Sequence, residues 1–412
     1  MPGLPAFCLR PRDVRRGAVL TLVFLAAVGT GAFTGSWDHP DPGRSAGPAA
    51  LAAGTEPSAP GTATGAPPGP RAPARAHREA GTADRDAVAR AAAEAVAEGK
   101  SGKSAAQEVV SRSGDRWGAV YDQGEYEAFS DDLDGRWTGV GLWAGRLRDG
   151  RIEIDRVQPG SPAARAGMRA GDRLLSIDGQ GVTGLEVAEV VALLRGEAGT
   201  PVVLKLTRGG TDRTETVRRE QLRSEPVTVR ELPGGITVIK VASFTRGSGD
   251  RVRSAVRAAP PGGGVMLDLR GNTGGLVTEA VTAASAFLDG GLVATYDVRG
   301  AQRALYATPG GDTARPLVAL IDGGTMSAAE LVTGALQDRG RAVAVGTRTF
   351  GKGSVQMPTE LPDGSVAELT VGTYRTPAGR SLDGAGITPD LAAADGVEER
   401  ARTVLSGIGV GP

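Results

Sequence analysis

Short stretches of alternating apolar and polar residues occupy the middle of the chain, residues 136–222. The segments GVGLWAGRL, RIEIDRV, RLLSIDG and PVVLKLTRGG have the two-residue period of strands with one buried face. Between them, SPAARAG and GLEVAEVVALLRG carry apolar residues at helical spacing. Ser161 is expected to cap the first helix and Pro162 to lie in its first turn, where a missing N–H costs nothing. The pattern predicts a domain of short strands with two helical pieces.

A different pattern runs from residue 223 to residue 394. The segments ITVIKVASF, GVMLDLRG, LVATYDVRG, RPLVALIDG and AVAVGTR are continuous apolar runs, typical of strands in a sheet that is covered on both faces. Helical segments such as GLVTEAVTAASAFLDG and SAAELVTGALQDRG lie between them. This alternation of strands and helices predicts an α/β domain built in layers.

The N-terminal region is patterned for targeting. Arginines in residues 1–16 precede an apolar run at 17–33, which predicts a cytoplasmic N-terminus followed by a signal anchor. The folded domains are then expected outside the cell membrane, or secreted if the segment is cleaved. Residues 34–81 are a Pro/Gly/Ala tract, predicted to be a disordered linker because it has little apolar surface to bury. We predict a helical segment at 82–135 and a C-terminal tail at 395–412.

Composition excludes several kinds of chemistry. The 412-residue chain has 47 Lys and Arg and 47 Asp and Glu, so no net charge favours nucleic acid as a partner. The single cysteine, Cys8, excludes a disulfide framework or a zinc–cysteine cluster, and we predict no metal and no other cofactor. Both histidines, His39 and His77, lie in the predicted linker. A serine hydrolase of this sequence therefore cannot use a Ser/His/Asp triad, and lysine is the known substitute base.

Three loops after predicted strands hold candidate chemistry. In LDLRGNTGG, Gly274 and Gly275 could direct backbone N–H groups at an anionic centre, although a plain strand-to-helix turn also explains them. In DGGTMSAAELVTGALQDRG, Ser327 is either a helix cap or a nucleophile. In GTRTFGKGSVQ, Lys352 lies between two glycines beside apolar strands, and the alternative is an exposed turn lysine.

The segment VQPGSPAARAGMRAGDRLLSIDGQGV resembles PDZ domains in its Pro-Gly-Ser-Pro-Ala turn and in the Gly-Asp before the next strand. In PDZ domains a glycine-rich loop binds the C-terminal carboxylate of a peptide, which adds a strand to the sheet edge. The resemblance assigns this loop to GVGL, which is Gly139, Val140, Gly141 and Leu142. The alternative is that these glycines only permit a tight turn.

The three loops together resemble the active-site segments of the C-terminal processing peptidases, or tail-specific proteases, which are Ser/Lys peptidases with a PDZ domain. The resemblance rests on LDLRGNTGG, GGTMSAAELVTGALQDRGRAVAVGTRTFGKGSVQ and TYRTPAGRSLDGAGITPD, and with the PDZ region it covers roughly residues 110–394. It implies Ser327 as the nucleophile, Lys352 as the base and Gln356 as a supporting residue. It also implies a peptidase domain of the Clp protease/crotonase-like layered type.

Two oxyanion donors are predicted. Ala328 follows the serine at a helix N-terminus, where the helix dipole favours negative charge, and the resemblance implies the Gly274 N–H as the second donor. The chain departs from the family pattern at Thr273, where proline is common, and at Ala329, where a second serine is common. Neither departure removes a catalytic group.

The sequence thus predicts a serine endopeptidase that cleaves proteins or peptides with free C-termini near those termini, after its PDZ domain binds the C-terminal segment. Lys352 can act as a base only when it is neutral, so burial must lower its pKa by about two units or more from its ordinary value of about 10.4. Two alternatives remain. A membrane-anchored, non-catalytic PDZ adaptor gives Ser327, Lys352 and Gln356 no role, and a small-molecule hydratase on a similar layered fold has no use for the carboxylate loop.

Overall fold

The computed structural model describes residues 81–298 and 301–408, all of which belong to one compact unit. The predicted N-terminus at 1–16, the anchor at 17–33 and nearly all of the linker at 34–81 lie outside the described residues. None of the helices in the described ranges has both the length and the apolar character that a membrane span requires.

The segment 82–135 contains three helices and one strand: α1 (Arg85–Ala97), α2 (Gly102–Ser113), β1 (Ala119–Tyr121) and α3 (Gln123–Leu133). Each helix begins at a polar N-cap residue, and Asp84 of α1 accepts hydrogen bonds from two backbone N–H groups of the first turn. Val88 of α1 and Val110 of α2 are buried in a small core of their own. Strand β1 pairs with a strand of the C-terminal domain, so this segment is part of that domain's structure.

The region 136–223, for which the sequence predicts a PDZ domain, is a domain of short strands. Its elements are β2 (Arg136–Gly139), β3 (Leu142–Arg146), β4 (Ile152–Val157), α4 (Pro162–Arg165), β5 (Arg173–Ile177), β6 (Gln180–Gly181), α5 (Val187–Leu194), β7 (Pro201–Arg208), β8 (Thr211–Arg218) and β9 (Glu220–Arg223). The main sheet has the order β3-β4-β5-β7-β8, which leaves β3 at an edge next to α5. Helix α4 has the predicted cap, since the Ser161 side chain accepts a hydrogen bond from the Ala164 N–H.

The C-terminal domain is layered, as predicted. Its elements are β10 (Val227–Leu232), β11 (Ile236–Val241), α6 (Ser248–Ala258), β12 (Val265–Asp268), α7 (Val277–Ser285), β13 (Leu292–Val298), β14 (Ala301–Tyr306), β15 (Leu317–Ile321), α8 (Ala328–Asp338), β16 (Val343–Gly346), β17 (Ser354–Glu360), β18 (Val366–Arg375), β19 (Leu391–Ala392) and α9 (Val397–Gly407). The main sheet has the order β10-β11-β12-β15-β16-β19 and is parallel from β11 onward.

Strand β15 explains the continuous apolar runs. Leu317, Ala319 and Ile321 pack into the core formed with α6, α7 and α8, whereas Val318 and Leu320 pack on the opposite face with α9. Because successive side chains of a strand point to opposite faces, a strand buried on both faces must be apolar at every position. The structure thus contains a domain of short strands and a layered α/β domain, as the sequence pattern predicts.

Three features differ from the sequence pattern. Strand β13 belongs to a second sheet, in the order β1-β18-β13-β14 with β17 beside β18, where its neighbours are antiparallel. Strand β14 was not predicted because five of its six residues are exposed and its sequence, AQRALY, has neither an alternating nor a continuous apolar pattern. Residues 395–412, predicted to be a tail, include α9, whose Ala401 and Leu405 are fully buried against the main sheet.

Candidate active site

The backbone of Ser327 is not that of an ordinary helix cap. Ser327 connects the turn after β15 to α8 and has φ 51° and ψ −117°, whereas N-cap residues normally have an extended backbone. Such a conformation costs a non-glycine residue about 1–3 kcal/mol and is concentrated at functional sites. The turn is held by the Thr325 hydroxyl, which donates to the Leu269 carbonyl at 2.9 Å, and by the Met326 N–H, which donates to the Asn272 carbonyl at 2.8 Å. The surrounding structure therefore fixes the strained serine.

Gly274 lies directly beside the serine. It has φ 105°, and a Cβ atom there would be 3.0 Å from the Ser327 Cβ, so a larger residue would displace the serine. The Gly274 N–H donates to Asn272 Oδ1 at 2.8 Å, and the Asn272 side-chain amide donates to the Val241 carbonyl at 3.0 Å. The predicted oxyanion donor is thus next to Ser327 and is bound by Asn272 in this structure.

Lys352 is buried in the loop between β16 and β17, with 8% of its surface exposed. Its Nζ lies 4.7 Å from the ring centroid of Trp117, a cation–π contact. Burial lowers the pKa of Lys352 to about 8, although the negative charges of Glu368, Glu330 and Asp115 oppose this change. The value agrees with the lowering that a lysine base requires, and the buried position differs from that of an exposed turn lysine.

Glu330 joins the serine turn to the lysine loop. Its carboxylate is fully buried and accepts hydrogen bonds from the backbone N–H groups of Ser327 (2.9 Å), Gly351 (2.7 Å) and Lys352 (2.8 Å), and from the Thr349 hydroxyl (2.6 Å). Burial raises the pKa of Glu330, and these hydrogen bonds act in the opposite direction. Sequence reasoning missed this residue, although the Ser-x-x-Glu spacing at the start of a helix is a recognisable capping pattern.

Gln356 lies on β17 and contacts the same cavity as Ser327 and Lys352. Its side-chain amide nitrogen donates to the Ser354 hydroxyl at 2.8 Å and to the Thr370 hydroxyl at 3.2 Å. The Thr370 hydroxyl in turn donates to Asp115 at 2.7 Å. These contacts orient the glutamine; its predicted support of the lysine amine stays a prediction.

One cavity of about 520 Å³ is shared by the candidate catalytic residues and the PDZ domain. Its walls include Gly274, Ser327, Lys352 and Gln356 from the layered domain, and Val140, Gly141, Leu142, Val187, Val191 and Leu194 from the PDZ domain. These PDZ residues come from the predicted carboxylate loop, the start of β3 and α5. Gly139, the first residue of that loop, lies at the end of β2, paired with Glu220.

The PDZ loop is held by its carbonyl groups. The Val140 carbonyl accepts from the Ala163 N–H at 2.9 Å, and the Gly141 carbonyl accepts from the Gln158 N–H at 2.8 Å. Gly141 has φ 83°, and a Cβ atom there would lie only 2.2 Å from the Ser161 Cβ, so glycine is required. Since β3 is an edge strand facing α5 across the cavity, an extended peptide can add to it.

A wall of aromatic side chains comes from the segment 82–135, for which the sequence suggested no chemistry. Trp117, Tyr121, Tyr126 and Phe129 all contact the cavity, and the rings of Tyr121 and Phe129 stack with centroids 5.4 Å apart. Their location depends on β1 pairing with β18, which no local pattern reveals. Within the described ranges, no group of three or more His, Cys, Asp or Glu side chains is arranged to hold a metal ion.

A PDZ groove shares one cavity with a strained serine and a buried lysine. This arrangement is the one expected of a peptidase that contains a PDZ domain. Residues 235–393 match the model of peptidase family S41, and residues 153–208 match a PDZ domain model. The chain belongs to peptidase family S41, the family of the carboxy-terminal processing proteases.

Individual relatives agree with this assignment. The chain is 32% identical over 284 residues to the carboxy-terminal processing protease CtpA of Bacillus subtilis, covering 68% of this chain and 61% of that protein. It is 35% identical over 306 residues to the chloroplastic carboxyl-terminal-processing peptidase 2 of Arabidopsis thaliana, covering 69% and 59% respectively. The chain therefore spans about three fifths of the length of these relatives. The solved photosystem II D1 C-terminal processing protease has a TM-score of 0.50 and 30% identity, covering 74% of this chain and 86% of that one.

Proposed function

We propose that this protein is a serine endopeptidase that cleaves protein substrates near their C-termini, with Ser327 as nucleophile and Lys352 as general base. The observation that carries the proposal is the strained serine and the buried lysine, both joined to Glu330 and both facing one cavity. A non-catalytic PDZ adaptor would have no need for a lysine whose pKa is lowered to about 8. A small-molecule hydratase would have no need for a PDZ groove that continues into the same cavity.

The reaction follows from the positions of these groups. Neutral Lys352 accepts the Ser327 hydroxyl proton as the serine oxygen attacks the scissile carbonyl carbon, and the carbonyl electron pair moves to oxygen. The N–H of Ala328 at the start of α8 and that of Gly274 stabilise the oxyanion, once the Gly274 N–H turns from Asn272 to the substrate. Collapse breaks the C–N bond, and the lysine ammonium protonates the leaving amine. Lysine-activated water then hydrolyses the ester of the acyl-enzyme.

The PDZ domain supplies the substrate to this centre. A free C-terminal carboxylate binds at Val140, Gly141 and Leu142, the preceding residues extend along β3, and the chain continues into the cavity toward Ser327. Substrates are therefore proteins or peptides with a free C-terminus, and cleavage falls upstream of the bound segment.

Peptide hydrolysis by the purified full chain tests this function. Ser327→Ala and Lys352→Arg should each lower kcat by about 10³-fold or more, because one removes the nucleophile and the other keeps the charge but cannot deprotonate. Lys205→Arg, at an exposed lysine of β7, is the matched control and should retain full activity. Because the base must be neutral, kcat/KM should rise with pH through a midpoint near 8. Substantial activity of Lys352→Arg at any pH between about 6 and 10 would show that the base lies elsewhere.

A further inference from the structure

Glu368 is an acidic residue inside the cavity that the proposed mechanism does not use. It lies within β18, directly opposite Ala119 of β1 on one side and Pro358 of β17 on the other. Directly opposed residues of adjacent strands project from the same face, and Glu368, Pro358 and Gln356 all contact the cavity. Strand pairing on both sides therefore fixes the carboxylate in the wall that faces the substrate.

The surroundings of Glu368 are suited to a cationic side chain. The aromatic residues Tyr121 and Tyr126 border the same cavity, and burial together with the charge of Glu368 raises the pKa of both phenols, that of Tyr121 to about 12. Aromatic rings and neutral hydroxyl groups can pack against the methylene groups of lysine or arginine and contact their charged ends. An acid buried in such a cavity favours a ligand that supplies the opposite charge.

Lys352 also borders the cavity and interacts with Glu368 through its charge, whereas the other charged residues of the cavity are paired with different residues. Asp132 accepts hydrogen bonds from Arg195 at 3.0 and 3.3 Å, and the Arg136 guanidinium lies 2.7 Å from Asp131. Among the residues that border the cavity, the acids are Asp132 and Glu368. A substrate cation would therefore interact with Glu368 in preference to Asp132.

We propose that Glu368 is a specificity-determining residue that selects substrates with lysine or arginine next to the scissile bond. The inference rests on the proposed peptidase function, since it concerns what the same cavity accepts. The aromatic residues pack against the aliphatic part of the substrate side chain, and the Glu368 carboxylate pairs with its charged end.

Such a substrate would also act on the general base. Burial raises the pKa of Glu368 to about 7, so at pH 8 it is mostly ionised, and its charge favours the protonated form of Lys352. Glu330 and Asp115 act on Lys352 in the same direction, and Tyr121 and Tyr126 face Glu368 from β1 and α3. A substrate cation at Glu368 offsets one of these charges, so a basic substrate favours the neutral, reactive lysine.

Cleavage of a peptide mixture by the full chain tests the proposal. Peptides with free C-termini and mixed sequences are incubated with the enzyme, and the cleaved bonds are identified by mass spectrometry. One parent peptide is then varied at each residue that flanks the scissile bond, using Lys, Arg, Met, Gln and Glu. Wild-type enzyme should prefer Lys or Arg over Met at one flanking position by about tenfold or more in kcat/KM.

Three variants separate recognition from an effect on the base. Glu368→Gln, which keeps the shape of the side chain, should reduce that preference to about parity, and Glu368→Lys should reverse it toward Glu. Glu360→Gln, at an exposed acid of neighbouring β17, is the matched control and should keep the wild-type preference. The proposal is overturned if Glu368→Gln changes all peptides equally and only shifts the pH midpoint, or if wild type shows no basic preference. Cleavage of no peptide at all would instead overturn the proposed function, and this inference with it.

Discussion

Among the individual residues, Glu330 shows how one buried carboxylate can hold together the loops that carry the proposed nucleophile and the proposed base. Its four hydrogen bonds come from the serine turn and from the loop 349–352, so both loops are fixed to the same two oxygen atoms. All four partners of Glu330 are donors, so the side chain must accept at both of its terminal atoms. A carboxylate can do this, whereas an amide has a donor in place of one oxygen. The distance between serine and lysine is thus set by a residue that does not react.

We expect Glu330→Gln to lower the free energy of unfolding by about 1–3 kcal/mol and kcat by about tenfold or more, since an amide N–H would oppose a backbone donor. Loss of the negative charge should also move the pH midpoint of kcat/KM to lower values, because Glu330 favours protonated Lys352. Glu279→Gln is the control, because Glu279 likewise accepts from two backbone N–H groups, at 2.9 Å each, outside the cavity. Urea denaturation and steady-state kinetics measure both effects. If Glu330→Gln keeps both the wild-type kcat and the wild-type pH midpoint of kcat/KM, Glu330 has no positioning role.

At the scale of the element, α5 depends on a buried arginine from outside the helix. The Arg219 guanidinium donates to the carbonyl groups of Leu193 (2.9 Å) and Leu194 (3.2 Å), at the C-terminal end of α5, and to that of Pro201 (3.0 Å). The last carbonyls of a helix have no partner within the helix, and a cation there interacts favourably with the helix dipole. Arg219 therefore stabilises one wall of the peptide groove.

Replacing Arg219 by methionine should destabilise the PDZ domain by about 2–4 kcal/mol, because the carbonyl groups stay buried without a donor. Affinity for peptides should fall as well, since Val187 and Val191 of α5 border the groove. The neighbouring Arg218→Met is the control: Arg218 is exposed and should change stability by less than about 0.5 kcal/mol. Equal losses in the two variants, measured by urea denaturation, would argue against the capping role.

In the molecule as a whole, the proposed peptide groove and the proposed catalytic residues share one cavity, although they belong to different domains. Amidation of a peptide's C-terminus removes a charge and an acceptor, so wild-type kcat/KM should fall by about tenfold or more. Gly141→Ala should abolish the difference between free and amidated peptides, because its Cβ would collide with Ser161. Gly171→Ala is the matched control, with a similar φ of 86° but no heavy atom near the added Cβ. Equal turnover of free and amidated peptides by wild type would exclude the PDZ domain from substrate selection.

Much of the architecture follows from the sequence alone, because it rests on local periodicity. The apolar runs of β11, β12, β15 and β16 predict a sheet covered on both faces, and the alternation in residues 136–222 predicts the strands of the PDZ domain. The candidate site could also be found from the sequence: because both histidines lie outside the predicted domains, a serine at a helix start and a glycine-flanked lysine remained as candidates. Each of these features lies within a few neighbouring residues, the range over which a pattern can be read.

The environment of Lys352, by contrast, depends on contacts between segments that are far apart in the sequence. The Lys352 N–H donates to Glu330, 22 residues away along the chain, and its Nζ contacts the Trp117 ring. Glu368 acts on Lys352 through its charge, and the pairing of β18 with β1 and β17 fixes its position. Strand β18 and helix α9 likewise depend on distant segments, since β18 pairs with β1 and β13 and α9 packs on the main sheet. Contacts between segments that are distant in sequence therefore determine the pKa of Lys352 and the position of the aromatic residues. They also bring the peptide groove and the candidate active site into one cavity. Desolvation and Coulomb interactions depend on distance through space, which sequence spacing does not reveal.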